Sequence, residues 1–277
     1  DVALAEGNAG TTNAVFTVSL SAASGRTVTV SAATAASTAL APGDFTATGP
    51  ATVTFAPGVT TQNFNVPVVG DTLDEVNETF SVNLTSPVNA TIADNQGVGT
   101  ITDDDLPPAI SINDVVLAEG NAGTTNATFT VSLSAASSLT VTVSAATAAN
   151  TATSPSDFTA AGPATLTFNP GITTQNFVVP VVGDTTFEAS ETFFVNLSAA
   201  ANASIGDAQG IGTINNDDGT PTLSIADAAV AEGNAGTTNA TFTVSLSAAS
   251  AQTVTVSAVT SANTATSPAD FTATGPT

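Results

Sequence analysis

ATVTFAPGVTTQNFNVPVVGDTLDEVNETFSVNLT, residues 51–85, alternates apolar and polar side chains with a period of two, not 3.6. Three short segments rich in β-branched residues and Phe are separated by APGV (56–59) and by the acidic loop GDTLDEVN (70–77). Such runs predict half-buried β-strands joined by turns. Outward from this stretch, NAVFTVSLS (13–21), RTVTVSA (26–32), GVGTITDD (97–104) and AISINDVVL (109–117) show the same alternation. No helix-capping signal is followed by an apolar helical stripe. About seven antiparallel strands in roughly 110 residues predict an all-β, immunoglobulin-like sandwich.

The chain then repeats itself. AEGNAGTTNA occurs unchanged at 5–14, 118–127 and 231–240, and sliding the chain by the same offset aligns Phe16 with Phe129 and Phe242, and Asp44 with Asp157 and Asp270. A period this long is domain-sized rather than a solenoid repeat. The expected domains are 1–105, without the start of its first strand, 109–218, and 222–277, a partial copy with strands A to C only. A window on a longer tandem array is the expectation. The linkers DDDLPPAI (103–110) and DDGTPTL (217–223) are short and proline-stiffened, which predicts a semi-rigid rod.

Composition narrows the function. Twenty-three acids face one base, Arg26, for a formal charge of −22. Such a chain repels nucleic-acid phosphates and anionic membranes, and its natural partners are cations. No apolar run of about 18 residues is present to span a bilayer. The absence of Cys and His removes disulfides, thiolate metal sites and the commonest general base. These absences argue against an enzyme.

The acids themselves are ordered. With strands labelled A to G, Glu6 lies between A and B, Asp44 between C and D, Asp71 and Glu75 between E and F, and Asp103, Asp104 and Asp105 after G. All these loops gather at one end of a sandwich. Copy two offers Glu119, Asp157, Asp184, Glu188, Asp217 and Asp218, and copy three Glu232 and Asp270; Glu78 and Glu191, which start strand F, lie nearby. Crowded carboxylates stay ionised only if a cation compensates them. An all-oxygen donor set on flexible loops favours Ca2+ over Mg2+ and excludes soft metals.

AEG at 5–7, PGDF at 42–45, the stretch 53–84 and GTITDDD at 99–105 resemble the Calx-beta domain, in two full copies and a partial third. The resemblance implies a seven-stranded sandwich with Ca2+ clustered at its tip, and carries the family's ligand positions onto Glu6, Asp44, Asp71, Glu75 and Asp103 to Asp105, and onto Glu119, Asp157, Asp184, Glu188, Asp217 and Asp218. Gly70 and Gly183 stand where richer members double an acid, and Asn216 replaces the first acid of the terminal run. On the order of one to three ions per tip are therefore expected.

The functional expectation is a calcium-binding structural repeat segment of a large secreted or cell-surface protein, of bacterial type: a fibre, stalk or adhesin rod stiffened by Ca2+. Homotypic association into fibres, or adhesion to surfaces, belongs to that expectation. The alternative is a regulatory Ca2+ sensor. Near-identical copies suit a spacer, since a sensor tends to differentiate its sites.

Overall fold

The computed structural model describes residues 1–276, and among them there are strands but no helices. The first copy contributes β1 (Val2–Ala5), β2 (Gly10–Ser19), β3 (Val28–Ala36), β4 (Ala51–Phe55), β5 (Thr61–Gly70), β6 (Glu78–Val88) and β7 (Gln96–Thr102). The second contributes β8 (Ala109–Ile112), β9 (Val115–Ala118), β10 (Gly123–Leu133), β11 (Val141–Ala149), β12 (Ala164–Phe168), β13 (Thr174–Gly183), β14 (Glu191–Ala201), β15 (Ser204–Ile205) and β16 (Gln209–Asn215). Residues 222–276 carry β17 (Leu223–Ile225) and β18 (Val244–Leu246).

In the first sandwich a five-stranded sheet, β1-β7-β6-β3-β4, faces the β2-β5 pair; in the second, β12-β11-β14-β16-β9 faces β13-β10-β8-β15. Pairing is antiparallel except that β1 runs parallel to β7, β9 to β16 and β15 to β8. Alternation decides which face is buried. In β5, Phe64, Val66 and Val68 point inward, and in β6 Phe80 and Val82 do so. Fully burying each such side chain contributes about 1.5–3 kcal/mol.

Phe80 is the centre of the first core. It stacks on Phe45 at 4.7 Å and meets Phe16 edge-on at 5.8 Å, and Phe193 repeats this with Phe158 and Phe129 at 4.7 and 5.9 Å. Its ring crosses the neighbouring strand at Gly99, its cross-strand partner, where a Cβ would lie 2.4 Å from the ring. Gly212 gives Phe193 the same passage.

The stretch AISINDVVL, expected as one strand, is two strands in different sheets. The break falls at Asn113 and Asp114, whose side chains take over the work of backbone pairing. Asn113 Oδ1 accepts the Thr130 N–H at 2.6 Å and Asp114 Oδ1 accepts the Ile211 N–H at 2.8 Å. The chain thereby crosses from one sheet to the other without orphaned amides. In the third copy, strands A and B are present as β17 and β18, but the expected strand C is absent among the described residues. In the full copies β3 and β11 are each held between two neighbours, β4 and β6 or β12 and β14, and residues 222–276 contain no counterpart of either neighbour. Phe242, Val254 and Val256 are accordingly exposed.

Adjacent copies touch through the loop between the fifth and sixth strands. Asp74 forms a parallel bridge with Ser137: the Ser138 N–H donates to the Asp74 carbonyl at 3.0 Å and the Ser137 hydroxyl to Asp74 Oδ2 at 2.7 Å. Both residues are buried. At the next junction Phe187 occupies the corresponding place and exchanges backbone hydrogen bonds with Ala249 and Ala251 at 3.2 and 3.1 Å.

Candidate metal centre

Gly70, the last residue of β5, brings the acidic loops together. A Cβ there would lie 2.0 Å from the Gly7 carbonyl oxygen and 2.6 Å from that of Glu6, so only glycine lets the β1–β2 turn close onto the end of β5. Gly183 allows the same approach to Gly120 and Glu119. This contact presses Glu6 and Glu119 into the tip, where they are 4% and 5% exposed. Glutamate is almost never so buried unless it is paired.

The run after β7 closes the site from the other side. Asp104 Oδ1 accepts the Gly7 N–H at 3.0 Å and Asp105 Oδ1 the Asn8 amide at 2.7 Å; in the second domain Asp217 and Asp218 receive Gly120 and Asn121 at 3.2 and 3.0 Å. Other acids are shaped by their own loops. Asp71 Oδ1 accepts the Leu73 N–H, Asp184 Oδ1 the Thr186 N–H, Asp44 Oδ2 the Leu40 N–H and Asp157 Oδ2 the Thr153 N–H, at 2.6 to 2.7 Å.

Two carboxylate groups result in the first domain. Glu6, Asp103 and Asp105 have oxygens within 4.8 Å of one another, and so do Asp44, Glu75 and Glu78. Among the described residues four buried side-chain oxygens have no hydrogen-bond partner: Oε1 of Glu6 and Glu119, and Oδ2 of Asp105 and Asp218. A buried acceptor without a partner is costly, and a charged one more so.

The electrostatics record that cost. Glu6 is pushed up to about 7, first by burial and then by the charges of Glu75, Asp71, Asp103 and Asp105. Glu119 also reaches about 7, by burial and then Asp184, Glu188, Asp218 and Asp217. Glu78 rises to about 7 through burial and then through a hydrogen bond with Asp44, and Glu191 does so through burial and Asp157. Burial, followed by neighbouring carboxylates, also raises Glu75, Glu188 and Asp105. The effects of Glu75 on Glu6, and of Asp103 and Asp105 on Glu75, join the two groups into one crowded tip.

The chain matches the Calx-beta domain model over residues 4–105, 103–219 and 215–276. It belongs to the Calx-beta domain family.

Calx-beta domains are calcium-binding modules rather than catalysts. No curated protein matches the sequence. Among solved structures, CBD12 from CALX1.2 is 18% identical, with 77% of this chain and 96% of that one covered and a TM-score of 0.37. The calcium binding domain CBD12 of CALX1.1 is 22% identical, covering 72% of this chain and 76% of that one, with a TM-score of 0.35. The apo form of the Calx CBD1 domain, also 22% identical, covers 40% of this chain and 98% of its own, at 0.36.

The residues present fit a Ca2+ ion. The donors are all carboxylate oxygens, on loops and at the start of β6, which suits a hard cation with many ligands, and the orphaned oxygens of Glu6 and Asp105 belong to one carboxylate group. Sequence reasoning placed Glu6, Asp44, Asp71, Glu75 and Asp103 to Asp105 on this tip, and Asp104 turns out to be tied to the Gly7 amide. It set Glu78 aside as a neighbour; the structure puts Glu78 inside a group. In the second domain Asp184, Glu188, Asp217 and Asp218 surround Glu119, and Asp157 acts on Glu188, yet among the described residues no three carboxylates converge as closely as in the first. The counterpart of Asp103 is Asn216, whose Oδ1 accepts the Glu188 N–H at 3.1 Å. Glu232 is exposed, Asp270 holds the Thr266 N–H at 2.8 Å, and neither joins a carboxylate group among the described residues.

Proposed function

We propose that the chain is a calcium-stiffened structural segment of a secreted or cell-surface protein, of bacterial type, in which Ca2+ holds successive domains in a fixed relation. One observation carries this reading: the loop that bears Asp71 and Glu75 also bears Asp74, which is buried against Ser137 of the next domain. Ordering that loop therefore orders the junction. A bound Ca2+ supplies the positive charge that lets Glu6 and its neighbours ionise together. Fibre formation or adhesion would be the task of an array of such units.

A ligand at 100 times its Kd stabilises the native state by roughly 2.7 kcal/mol, and extracellular modules bind Ca2+ at about 10⁻⁴–10⁻³ M, a level met outside cells and not in cytosol. The test is X-ray scattering and thermal melting with and without EGTA, together with calorimetry. Chelation is expected to lower Tm and shorten the particle, with Kd values near 10⁻⁴ M. Unchanged length and Tm would sink the proposal, and sub-micromolar Kd values would transfer it to a regulatory sensor.

A further inference from the structure

Asp218–Gly219 is the single Asp–Gly step in the chain, and Asn–Gly does not occur. It leads from the second tip into the link between β16 and β17. Glycine after an aspartate leaves its own main-chain nitrogen unhindered and free to turn towards the aspartyl side-chain carbon. Gly219 is exposed, a Cβ on it would meet nothing within 4 Å, and its N–H has no acceptor among the described residues.

The surrounding groups prime this step. One hydrogen bond holds the Asp218 carboxyl: Oδ1 accepts the Asn121 amide at 3.0 Å, while the buried Oδ2 has no partner. The Asp218 main-chain carbonyl accepts Nδ2 of Asn216 at 3.0 Å. That amide is oriented from its other side, because Asn216 Oδ1 accepts the Glu188 N–H. A donor on the carbonyl polarises the peptide unit it shares with Gly219. The Gly219 N–H becomes more acidic, and the carbonyl carbon more open to attack. The first domain shares only the situation of the carboxyl. Asp105 Oδ1 accepts the Asn8 amide and its Oδ2 is orphaned, but Leu106 follows, and Asp103, in place of Asn216, has no side-chain N–H to donate.

We propose that Asp218–Gly219 is a self-modification site that converts to isoaspartate when the second tip is without Ca2+. The Gly219 nitrogen attacks Asp218 Cγ. A C–N bond forms, a Cγ–O bond breaks, and the oxygen leaves as water with the N–H proton and one from solvent. Water then opens the succinimide ring. Attack at Cγ restores aspartate; attack at the former main-chain carbon, the one polarised by Asn216, gives isoaspartate. The product carries its free carboxylate on an arm one methylene shorter, and the main chain of the link gains that methylene. The second tip thereby loses a donor and its link lengthens, while the first tip is spared. Protection by Ca2+ rests on the calcium-binding role proposed above: the orphaned Oδ2 is an oxygen that the ion would take, which withholds the carboxyl from ring closure.

The test incubates the 277-residue chain for weeks at neutral pH in heavy-oxygen water, with EGTA or with Ca2+. Mass spectrometry with electron-transfer fragmentation then distinguishes aspartate from isoaspartate and locates the heavy oxygen. In EGTA isoaspartate should accumulate at Asp218 at least about fivefold faster than at Asp105. Ca2+ at ten times its Kd should slow it about tenfold, the factor by which the free tip is depleted. Gly219→Leu and Asn216→Asp each install the first domain's residue and should each slow the reaction in EGTA about fivefold. No isoaspartate at Asp218, equal accumulation at Asp105, or unchanged rates in both variants would overturn the proposal. Equal rates in Ca2+ and EGTA, with Ca2+ still raising the Tm of the second domain, would overturn the protection and leave the calcium-binding role standing. If Ca2+ alters neither Tm nor rate, that role fails and the protection with it.

Discussion

Metal-free protein should lose stability as pH rises from 5 to 7.5, the reverse of a protein held by ion pairs. Glu6 and Glu119 are each raised from 4.5 to about 7 in the folded chain. Between those values the native state keeps a proton that the unfolded state has released, so raising the pH favours unfolding. At about 1.36 kcal/mol per unit, one such group costs roughly 3 kcal/mol across the window. Glu78 and Glu191 add to the same clusters, but solvent screening and mutual coupling limit each domain to about 2–3 kcal/mol. For domains of this size that is a fall in Tm of roughly 10–20 °C. Calorimetry on chelator-stripped protein at pH 5 and 7.5 measures it, and Ca2+ should restore most of the loss at 7.5 and little at 5. Glu6→Gln should flatten the slope of the first domain alone. A metal-free Tm that holds or rises over this interval would refute the reasoning, since burial of these carboxyls would then carry no proton linkage.

Three further outcomes can be checked. Glu119→Gln should abolish the Ca2+-induced rise in Tm of the second domain and leave that of the first, and in metal-free protein at pH 7.5 it should stabilise by about 1–2 kcal/mol, because a neutral amide replaces a buried charge. Ser137→Ala leaves the buried Asp74 carboxylate without its 2.7 Å donor; it should loosen the first junction by about 1–3 kcal/mol, seen as independent tumbling of the first two domains by NMR relaxation, while the second junction is unaffected. Gly99→Ala should cost about 1–3 kcal/mol by overpacking Phe80, read from the Tm of the first domain, with Gly219→Ala, which meets nothing within 4 Å, as the neutral control.

The alternation around Phe64, Phe80 and their neighbours made the sandwich legible, because a period of two has only one buried solution when both sheets share a core. The order of the loops then put the acids on one tip. What the alternation hides is which sheet a strand joins: AISINDVVL keeps its apolar pattern across the break at Asn113 and Asp114, since Ile112 and Val115 both face the core from opposite layers. The parallel pairing of β1 with β7 is hidden for the same reason. Gly70 and Gly183 read as loop glycines, and their close approach to a carbonyl is visible only in three dimensions. The junction eluded the repeat comparison because it is where the repeats differ. Asp74 aligns with Phe187, so a polar latch and an apolar contact occupy one position and neither stands out as a pattern.

That difference sits beside a second one, Asp103 against Asn216, and together they separate demand for a cation from capacity to hold several. Burial is the largest cause of the raised pKa for both Glu6 and Glu119, and it comes from the glycine-permitted closure that the two domains share. Demand is therefore set by the fold and is the same in each copy. Capacity is set by how many carboxylates the loops add around that glutamate, and here the copies diverge: two groups of three in the first domain, none as tight among the described residues of the second. The first tip should consequently take more Ca2+ than the second while both require at least one ion. Since each tip's fifth-to-sixth strand loop also makes the following junction, the Asp74–Ser137 junction should stiffen over a wider range of Ca2+ concentration than the one at Phe187. Two substitutions, at Asp74 against Phe187 and at Asp103 against Asn216, are enough to make successive tips and junctions unequal.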